Sequence, residues 1–294
     1  MAGSFTGLAV AVTGGTGWLG TALVDALLHG DAREVRILSR SPSPARDPRV
    51  RAVKGDVRDP AAVTALVRGA QGVFHLAGIK DLAYCETNPV DAIETNAFGA
   101  YRVCEAVAAE PDIRWAIAAS SVKACLPSSV YGWTKALTER AFSAAGLGAV
   151  RLSSVWGGPA SLAGSWDAQL RANERIEVTD PEMTRTVMTR AQAVEALLGG
   201  ARRPLRGEVL VPTASAYRLG DLADAYARSH GASLTVVGAR AGEKRHEDLA
   251  AERPARTREQ CLDRLRSRHD RARHLWIRHL DPLVRAELRI PRPR

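Results

Sequence analysis

The stretch LAVAVTGGTGWLGTALVDALLHG constrains the fold more than any other part of the chain. A short apolar run, residues 8–13, stands directly before closely spaced glycines, and a helical pattern follows them. The GxxGxxG spacing of Gly14, Gly17 and Gly20 lets the backbone turn sharply and approach a ligand, and the helix start leaves N–H groups for a pyrophosphate. The pattern predicts a dinucleotide-binding turn, formed by Gly14, Thr16, Gly17, Trp18 and Leu19. The alternative is a tight turn that needs small residues but binds no ligand.

Apolar runs alternate with helical patterns through the first half of the chain. Strands are predicted at residues 8–13, 34–39, 50–56, 72–78, 113–120 and 148–153. Because buried strands separated by helices form parallel sheets, we predict an α/β fold: a doubly wound (Rossmann) sheet with a small C-terminal substrate-binding lobe.

The predicted boundaries follow from where this alternation stops. Residues 1–153 form the dinucleotide-binding core, which includes the catalytic strip. Residues 154–252 form a substrate-binding lobe interleaved with core elements that return at 191–201 and 208–212. Residues 253–294 form an Arg-rich, peripheral helical tail.

Composition narrows the class of protein. A chain of 294 residues, 46% hydrophobic, can bury one large α/β core. The start MAGSFTG resembles no leader and no run is of membrane length, so a cytoplasmic location without membrane association is expected. The cysteines lack a CxxC pair, which predicts reduced thiols and no metal site; they are Cys85, Cys104, Cys125 and Cys261.

The formal charge of +9 is concentrated at the C-terminal end. Residues 251–294 hold thirteen arginines and six acidic residues, so the rest of the chain is nearly neutral. This distribution argues against a nucleic-acid-binding surface over the whole protein.

The end of the second strand bears on which dinucleotide binds. An enzyme that uses NAD usually has an acidic residue here, whereas this chain has Ser39 and Arg40. A guanidinium suits a 2′-phosphate, which favours NADP over NAD, the alternative being that Arg40 is an ordinary surface arginine. Two later pairs are expected to border the adenine and the ribose: Asp56 with Val57, and Ala77 with Gly78.

A candidate catalytic strip follows the fifth strand. Tyr131 and Lys135 are four residues apart at the start of a predicted helix, so both project from one face. We expect the Lys135 ammonium to lower the pKa of the phenol, which makes Tyr131 a base for a sugar hydroxyl, with Ser121 hydrogen-bonded to the same oxygen. The alternative is a surface pair without catalytic meaning.

Four motifs occur in this order along the chain: GIKDLAYCETNPVDAIETNAFGAYRV (78–103), SSVKA (120–124) with YGWTK (131–135), VTDPEMTRTVMTRAQAVEAL and GARAGEKRHEDL. They resemble those of the extended short-chain dehydrogenases/reductases, and within that group the inverting UDP-N-acetylglucosamine 4,6-dehydratases of the polysaccharide biosynthesis protein family. The resemblance extends from Gly14 to about Leu249 and leaves out the Arg-rich tail.

The resemblance implies an enzyme that is a homo-oligomer and acts on a nucleotide sugar, with UDP as the expected nucleotide. Tyr131 and Lys135 would oxidise C4 with NADP, and Lys123 would remove the C5 proton. The positions implied to contact the cofactor are Lys80, Asn96, Tyr131 and Lys135. Those implied to contact the substrate are Lys80, Ser154, Arg185, Arg240 and Glu243.

The chain departs from the family at Val122, where relatives carry the aspartate that protonates the departing C6 hydroxyl. An isopropyl group cannot donate a proton, and general acid help is worth roughly 100-fold or more. Three hypotheses remain. Lys123, Asp81 or a water supplies the acid of a 4,6-dehydratase; the enzyme is a C5 or C4 epimerase or related keto-sugar oxidoreductase without water loss; or the protein binds NADP without catalysis.

Overall fold

The computed structural model describes residues 5–41, 47–159, 161–173, 175–203, 205–240 and 242–249. Two compact units divide them, the first containing residues up to 152 together with 190–212, and the second containing 153–189 and the residues from 213 onward. The Arg-rich tail predicted for residues 253–294 lies outside the described residues. Within the described part, no helix combines the length and the apolar character needed to cross a membrane.

The first unit alternates strands and helices, as the sequence predicts. Its strands are β1 (Ala9–Thr13), β2 (Glu34–Ser39), β3 (Val50–Lys54), β4 (Gly72–His75), β5 (Trp115–Ser121), β6 (Gly148–Leu152) and, as numbered along the chain, β10 (Val209–Leu210). Its helices are α1 (Trp18–His29), α2 (Pro60–Val67), α3 (Leu82–Thr87), α4 (Pro89–Ala92), α5 (Gly99–Ala108), α6 (Val130–Ala144) and α8 (Arg190–Arg202). A π-helical turn, Ile93–Phe98, joins α4 to α5, and a 3₁₀ turn, Val122–Ala124, follows β5.

The seven strands form one parallel sheet in the order β10-β6-β5-β4-β1-β2-β3. The chain moves outward from β1 to β3 and then crosses back to β4 on the other side of β1. This reversal creates a crevice at the carboxyl ends of β1 and β4, where open α/β sheets bind ligands. The predicted doubly wound fold is confirmed.

Apolar strand interiors and helix faces explain why this unit is stable. β1 is buried along its whole length, as are Val73 and Phe74 of the neighbouring β4 and Ile117 of β5. The helices pack their apolar faces on the sheet, for example Leu23 and Leu27 of α1. Such burial is worth about 25 cal/mol per Å² of apolar area.

The second unit contains a three-stranded and a two-stranded sheet. The three-stranded sheet has the order β11 (Ser215–Arg218), β9 (Thr184–Met188), β7 (Ser154–Val155), and the other pairs β12 (Ser233–Val236) with β8 (Arg175–Val178). Two helices complete the unit, α7 (Leu162–Asn173) and α9 (Leu219–Ser229). The core is aromatic: the Trp156 and Trp166 rings are 6.0 Å apart, and Tyr226 packs on both.

Candidate active site

The glycine-rich turn joins β1 to α1 and lies against the chain that follows β4. Gly14 has a φ of +71°, and a Cβ there would lie 2.7 Å from the backbone nitrogen of Ala77. A Cβ on Gly20 would overlap the carbonyl oxygen of Gly14. α1 begins at Trp18 without a side-chain cap, which leaves backbone donors at its N-terminus for an anion. This cradle fits the pyrophosphate of a dinucleotide.

The end of β2 lies beside the same turn. The hydroxyl oxygens of Ser39 and Thr16 are 3.4 Å apart, and Ser39 Oγ accepts a hydrogen bond from the backbone N–H of Ser41 at 3.2 Å. Arg40 follows directly and is exposed. The structure therefore brings an exposed guanidinium to the edge at which the sequence places the 2′-substituent of the ribose.

Asp56, predicted to border the adenine, is engaged by a neighbouring cation. Arg58 donates to both carboxylate oxygens, at 3.1 Å and 2.8 Å, and this interaction holds the pKa of Asp56 below its usual range. The charge of Arg40 contributes in the same direction, so Arg40 and Asp56 are close enough to interact. Val57 is buried and packs against Gly99, which gives it a structural role as well.

Tyr131 and Lys135 lie one turn apart on α6, and both are buried. The Lys135 Nζ donates a hydrogen bond to the carbonyl oxygen of Ala119 at 2.9 Å, next to Ser121 on β5. Burial lowers the pKa of Lys135 to about 8, and Glu139 opposes this change. The structure therefore brings these three predicted catalytic side chains together at the carboxyl end of β5.

The expected lowering of the phenol pKa by Lys135 is wrong for this structure. Burial raises the pKa of Tyr131 to about 12, and the hydrogen bond with Ser121 opposes the rise only in part. An apolar surrounding penalises the phenolate more than the hydrogen bond stabilises it. Tyr131 therefore holds its proton until a further positive charge lies close to it.

Asn96 locks the elements around this site. It lies in the π-helical turn and is fully buried. Its side chain accepts from the backbone N–H of Ile79 at 2.7 Å and donates to the Ile79 carbonyl at 2.8 Å and to Thr134 Oγ1 at 3.0 Å. Since π turns often occur at functional sites, the geometry assigns Asn96 a positioning role between β4 and α6.

A cofactor-facing role for Gly78 and Lys80 depends on the segment that Asn96 anchors. A Cβ on Gly78 would lie 2.9 Å from Asn96 Oδ1 and 3.5 Å from Lys135 Nζ, so Gly78 is close to the Lys135 ammonium. Lys80 is exposed overall, although partial desolvation of its ammonium lowers its pKa. Asp81 uses its carboxylate to cap α3, accepting from the backbone N–H of Tyr84 at 2.8 Å.

Val122 and Lys123 lie in the 3₁₀ turn that Ser121 caps. Ser121 Oγ accepts from the backbone N–H of Lys123 at 3.3 Å, and a Cβ on Gly132 of α6 would lie 2.5 Å from the Lys123 carbonyl oxygen. The turn is thus packed against the start of α6. Lys123 is half-buried, whereas Val122 is only 2% exposed. Position 122, where the resemblance leads one to expect an aspartate, is therefore apolar and buried.

The sequence did not predict an ion pair behind the catalytic face. Arg151 donates to both oxygens of Glu139, at 2.9 Å and 2.7 Å, and Ser120 Oγ donates to the same carboxylate at 2.6 Å. Glu139 stands four residues after Lys135, so its position on the same helix face could have been found from the sequence. Its partners could not, because they lie on two separate strands.

A second buried polar group outside the prediction is His75, at the end of β4. Thr13 Oγ1 accepts from the backbone N–H groups of Leu76 and Ala77, so its own proton goes to His75 Nδ1 at 2.8 Å. Burial, and secondarily the charge of Lys135, lowers the pKa of His75 to about 3. The imidazole is therefore neutral, and its hydrogen bond with Thr13 joins β4 to β1 at the crevice.

The remaining predicted substrate residues belong to the second unit, which is described by itself. Arg185 is buried, and its Nη1 donates to the carbonyl oxygens of Thr184 and Lys244 at 2.9 Å and 3.0 Å. Its Nε lies 3.7 Å from a carboxylate oxygen of Glu247. Arg185 therefore fastens the 244–247 segment to β9, and a diphosphate contact stays a prediction.

The other three residues of this set are more accessible. Glu243 Oε2 accepts from the backbone N–H of Arg240 at 3.1 Å, and the Glu243 N–H donates to the Arg240 carbonyl at 3.2 Å. These bonds close a turn, with Arg240 exposed and Glu243 half-buried. Ser154 is half-buried at the start of β7, opposite Val187. Within this unit the structure brings Arg185 close to the segment that follows Glu243.

A family model described as "Polysaccharide biosynthesis protein" matches residues 10–268. The inverting UDP-N-acetylglucosamine 4,6-dehydratase of Campylobacter jejuni is 31% identical over 256 residues, which are 81% of this chain and 76% of that protein. The UDP-glucose 4-epimerase of Rickettsia canadensis is 29% identical over 262 residues, 82% and 76% of the two chains. The solved structure of MoeE5 in complex with UDP-glucuronic acid and NAD is 25% identical, with a TM-score of 0.71 over 82% of this chain and 88% of that one.

Proposed function

We propose a function on the premise that the chain belongs to the polysaccharide biosynthesis protein family, as its motifs predicted. It is an enzyme of the extended short-chain dehydrogenase/reductase type that acts on nucleotide sugars with a nicotinamide cofactor. More specifically, we propose an NADP-dependent 4,6-dehydratase that uses UDP-N-acetylglucosamine or a related UDP-hexose. The convergence of Ser121, Tyr131 and Lys135 at the end of β5 carries the proposal.

The first step is oxidation at C4 of the sugar. When bound, the oxidised cofactor accepts a hydride and brings a positively charged ring. Tyr131 would act as the phenolate: beside a bound positive charge its pKa would fall, its own proton would pass to solvent, and the phenolate would take the C4 hydroxyl proton while Ser121 hydrogen-bonds the same oxygen. Lys135, held by the Ala119 carbonyl, contributes a second positive charge below about pH 8.

The new C4 ketone acidifies the C5 proton, which Lys123 removes. Loss of the C6 hydroxyl as water then needs a proton donor, and the buried Val122 offers none. Protonated Lys123 or a water would be the donor that the dehydratase proposal requires, because the Asp81 carboxylate caps α3. Return of the hydride to C6, with a proton from solvent to C5, would complete the reaction and restore the oxidised cofactor.

One observation favours a second candidate function. The position of the usual acid is apolar and buried, so a 4-keto sugar formed here can be reprotonated at C5, or reduced again at C4, without water loss. The enzyme would then be a C5 or C4 epimerase or a related keto-sugar oxidoreductase. The non-catalytic alternative is set aside, because relatives of the chain carry the names of dehydratases and epimerases.

Product mass separates these candidates. The full-length protein is incubated with NADP and UDP-N-acetylglucosamine in D₂O, and the sugar nucleotide is analysed by mass spectrometry and NMR. Loss of one water supports the dehydratase. An unchanged formula with deuterium at C5, or inversion at C4, supports the second candidate. No change in several UDP-hexoses contradicts both.

We also propose NADP rather than NAD as the cofactor. The exposed Arg40, beside the glycine-rich turn, can pair with a 2′-phosphate. The Arg40→Ala protein is expected to bind NADP roughly 10- to 100-fold more weakly, with little change for NAD, because one charged hydrogen-bonding partner is lost. Fluorescence titration with both dinucleotides measures this. Arg68→Ala, at an exposed arginine after α2, is the control and should bind both dinucleotides like the wild type. If Arg40→Ala weakens NADP and NAD equally, Arg40 does not recognise the 2′-phosphate.

A homo-oligomer is proposed from exposed apolar side chains on two adjacent helical segments. Val90, Phe98 and Tyr101 lie along α4, the π turn and α5, and Trp133 and Leu137 lie one turn apart on α6. A two-fold axis brings the same face of each copy together, so these residues can cover one another in a dimer. The cytoplasmic location expected from the sequence stays a prediction.

Replacing both Trp133 and Leu137 by Glu is expected to convert the oligomer to a monomer, because four charges would face each other in a dimer. Sedimentation velocity over a range of concentrations measures the change. Val236→Glu, at an exposed apolar residue of the second unit, is the control. A wild-type protein that is monomeric at every concentration contradicts the proposal.

A further inference from the structure

The Glu139–Arg151–Ser120 cluster stands directly behind the catalytic lysine. Consecutive residues of β5 hold the two α6 side chains: the Ala119 carbonyl accepts from Lys135 Nζ at 2.9 Å, and Ser120 Oγ donates to Glu139 at 2.6 Å. Lys135 and Glu139 are both almost completely buried. Because residues four apart on a helix face the same side, the carboxylate and the ammonium share one buried environment.

Strand pairing fixes the other side of the cluster. Ser120 and Arg151 are directly paired across β5 and β6, so both side chains reach the same face of the sheet as α6. Arg151 approaches Glu139 with two nitrogens, at 2.9 Å and 2.7 Å, and this bidentate arrangement holds the carboxylate in one orientation. A buried ion pair that only stabilised the fold could be replaced as a whole by apolar residues, often without loss of stability.

We propose that Glu139 is a positioning residue for Lys135: its buried negative charge keeps the lysine as an ammonium in line with Tyr131, while Arg151 and Ser120 hold the carboxylate in place. This inference deepens the catalytic assignment made above and rests on it. Because the Glu139 carboxylate is occupied by Arg151 and Ser120, its proposed action is through Lys135.

The ionisable groups around Lys135 lie on four elements. Arg151 on β6, bonded to Glu139, carries a positive charge that opposes the ammonium. Glu139 on α6 favours the ammonium, as does the thiol of Cys85 on α3 when it is ionised. Burial raises the pKa of Cys85 to about 11, so the thiol is neutral at ordinary pH. His75 on β4 is neutral as well. Tyr131 on α6 is a protonated phenol. Among these groups, Glu139 is therefore the one whose charge supports the Lys135 ammonium.

The chain has only five lysines, which makes a direct test practical. The full-length protein is labelled with ¹³Cε-lysine, the Lys135 signal is assigned by its loss in Lys135→Arg, and its titration is followed by NMR. In Glu139→Gln the Lys135 midpoint is expected to fall by about one pH unit or more, since an opposite charge has been removed.

A double variant and a surface control make the result decisive. The double variant Glu139→Gln, Arg151→Met removes both charges and keeps similar side-chain volumes, which protects folding. The Lys135 titration midpoint in this variant should lie between the midpoints of Glu139→Gln and the wild type, because the opposing Arg151 charge is also gone. Glu195→Gln, which breaks an exposed pair with Arg202, should leave the midpoint unchanged. A wild-type midpoint in Glu139→Gln, or a double-variant midpoint at or above that of the wild type, overturns the proposal.

The pH dependence of turnover in the wild type and in Glu139→Gln tests whether the cluster affects catalysis. If Lys135 acts as an ammonium, activity is present below the pKa of Lys135 and falls as the pH rises through it. In Glu139→Gln, the alkaline limb of the pH–activity profile should therefore move to lower pH by the same amount as the NMR midpoint. A uniform loss of activity without a moved limb overturns the positioning role. The NMR titration does not depend on any sugar nucleotide, so failure of the proposed function is recognised separately, by the product-mass assay.

Discussion

Turnover of the Tyr131→Phe protein is expected to fall by about 100- to 10,000-fold, the usual contribution of a positioned general base or acid. The phenol is buried beside Ser121 and one turn from Lys135, so phenylalanine fills the same space and removes only the group that we propose accepts the C4 proton. Cofactor affinity should change little. The loss should appear in kcat, measured by product formation at saturating sugar nucleotide.

The control for this substitution is Tyr101→Phe, which removes a hydroxyl from an exposed tyrosine on α5. It should retain wild-type turnover. If Tyr131→Phe is equally active, the assignment of Ser121, Tyr131 and Lys135 as the oxidation site is wrong. Retained folding in both variants is checked by thermal unfolding.

Replacing Val122 by Asp is expected to raise the rate of water loss by roughly 100-fold, because it restores a proton donor next to Lys123. The side chain it replaces is only 2% exposed, so the new carboxyl group is partly desolvated. Desolvation raises the pKa of a carboxyl group and favours the protonated form that an acid catalyst needs. The same burial should lower the melting temperature.

Val122→Asn is the matched control, since its side chain has the shape and polarity of Asp but no acidic proton. It should leave water loss at the wild-type rate. An equal gain in both variants would attribute the effect to polarity or packing. No gain with Asp would mean that another group, such as Lys123, already donates the proton.

Much of the first unit could be predicted because its signals are local. The predicted strand at residues 34–39 matches β2, and the helix predicted at 191–201 matches α8, Arg190–Arg202. Continuous apolar runs are buried on both faces of a parallel sheet, so the pattern of the sequence carries the answer. The glycine-rich turn was equally readable, since Gly14 and Gly20 are positions where a side chain would meet backbone.

The parts that could not be predicted depend on contacts between distant segments. Glu139 and Arg151 are twelve residues apart and meet only because β6 places the arginine opposite Ser120. The pKa of Tyr131 is set by the depth of its burial, which the YxxxK spacing does not encode. Arg185 donates to carbonyl oxygens of a segment about sixty residues later, a contact that its place in the MTR motif does not indicate.

The π-helical turn at Ile93–Phe98 makes the length of this segment as important as its composition. An α-helix rotates by about 100° per residue, so deleting one residue here would restore regular α-helix and turn Asn96 away from Ile79 and Thr134. The chain after β4 would then lose its anchor while every catalytic side chain was still present. Insertions and deletions in this turn are thus expected to be more damaging than most point substitutions, and an active homologue should keep its residue count.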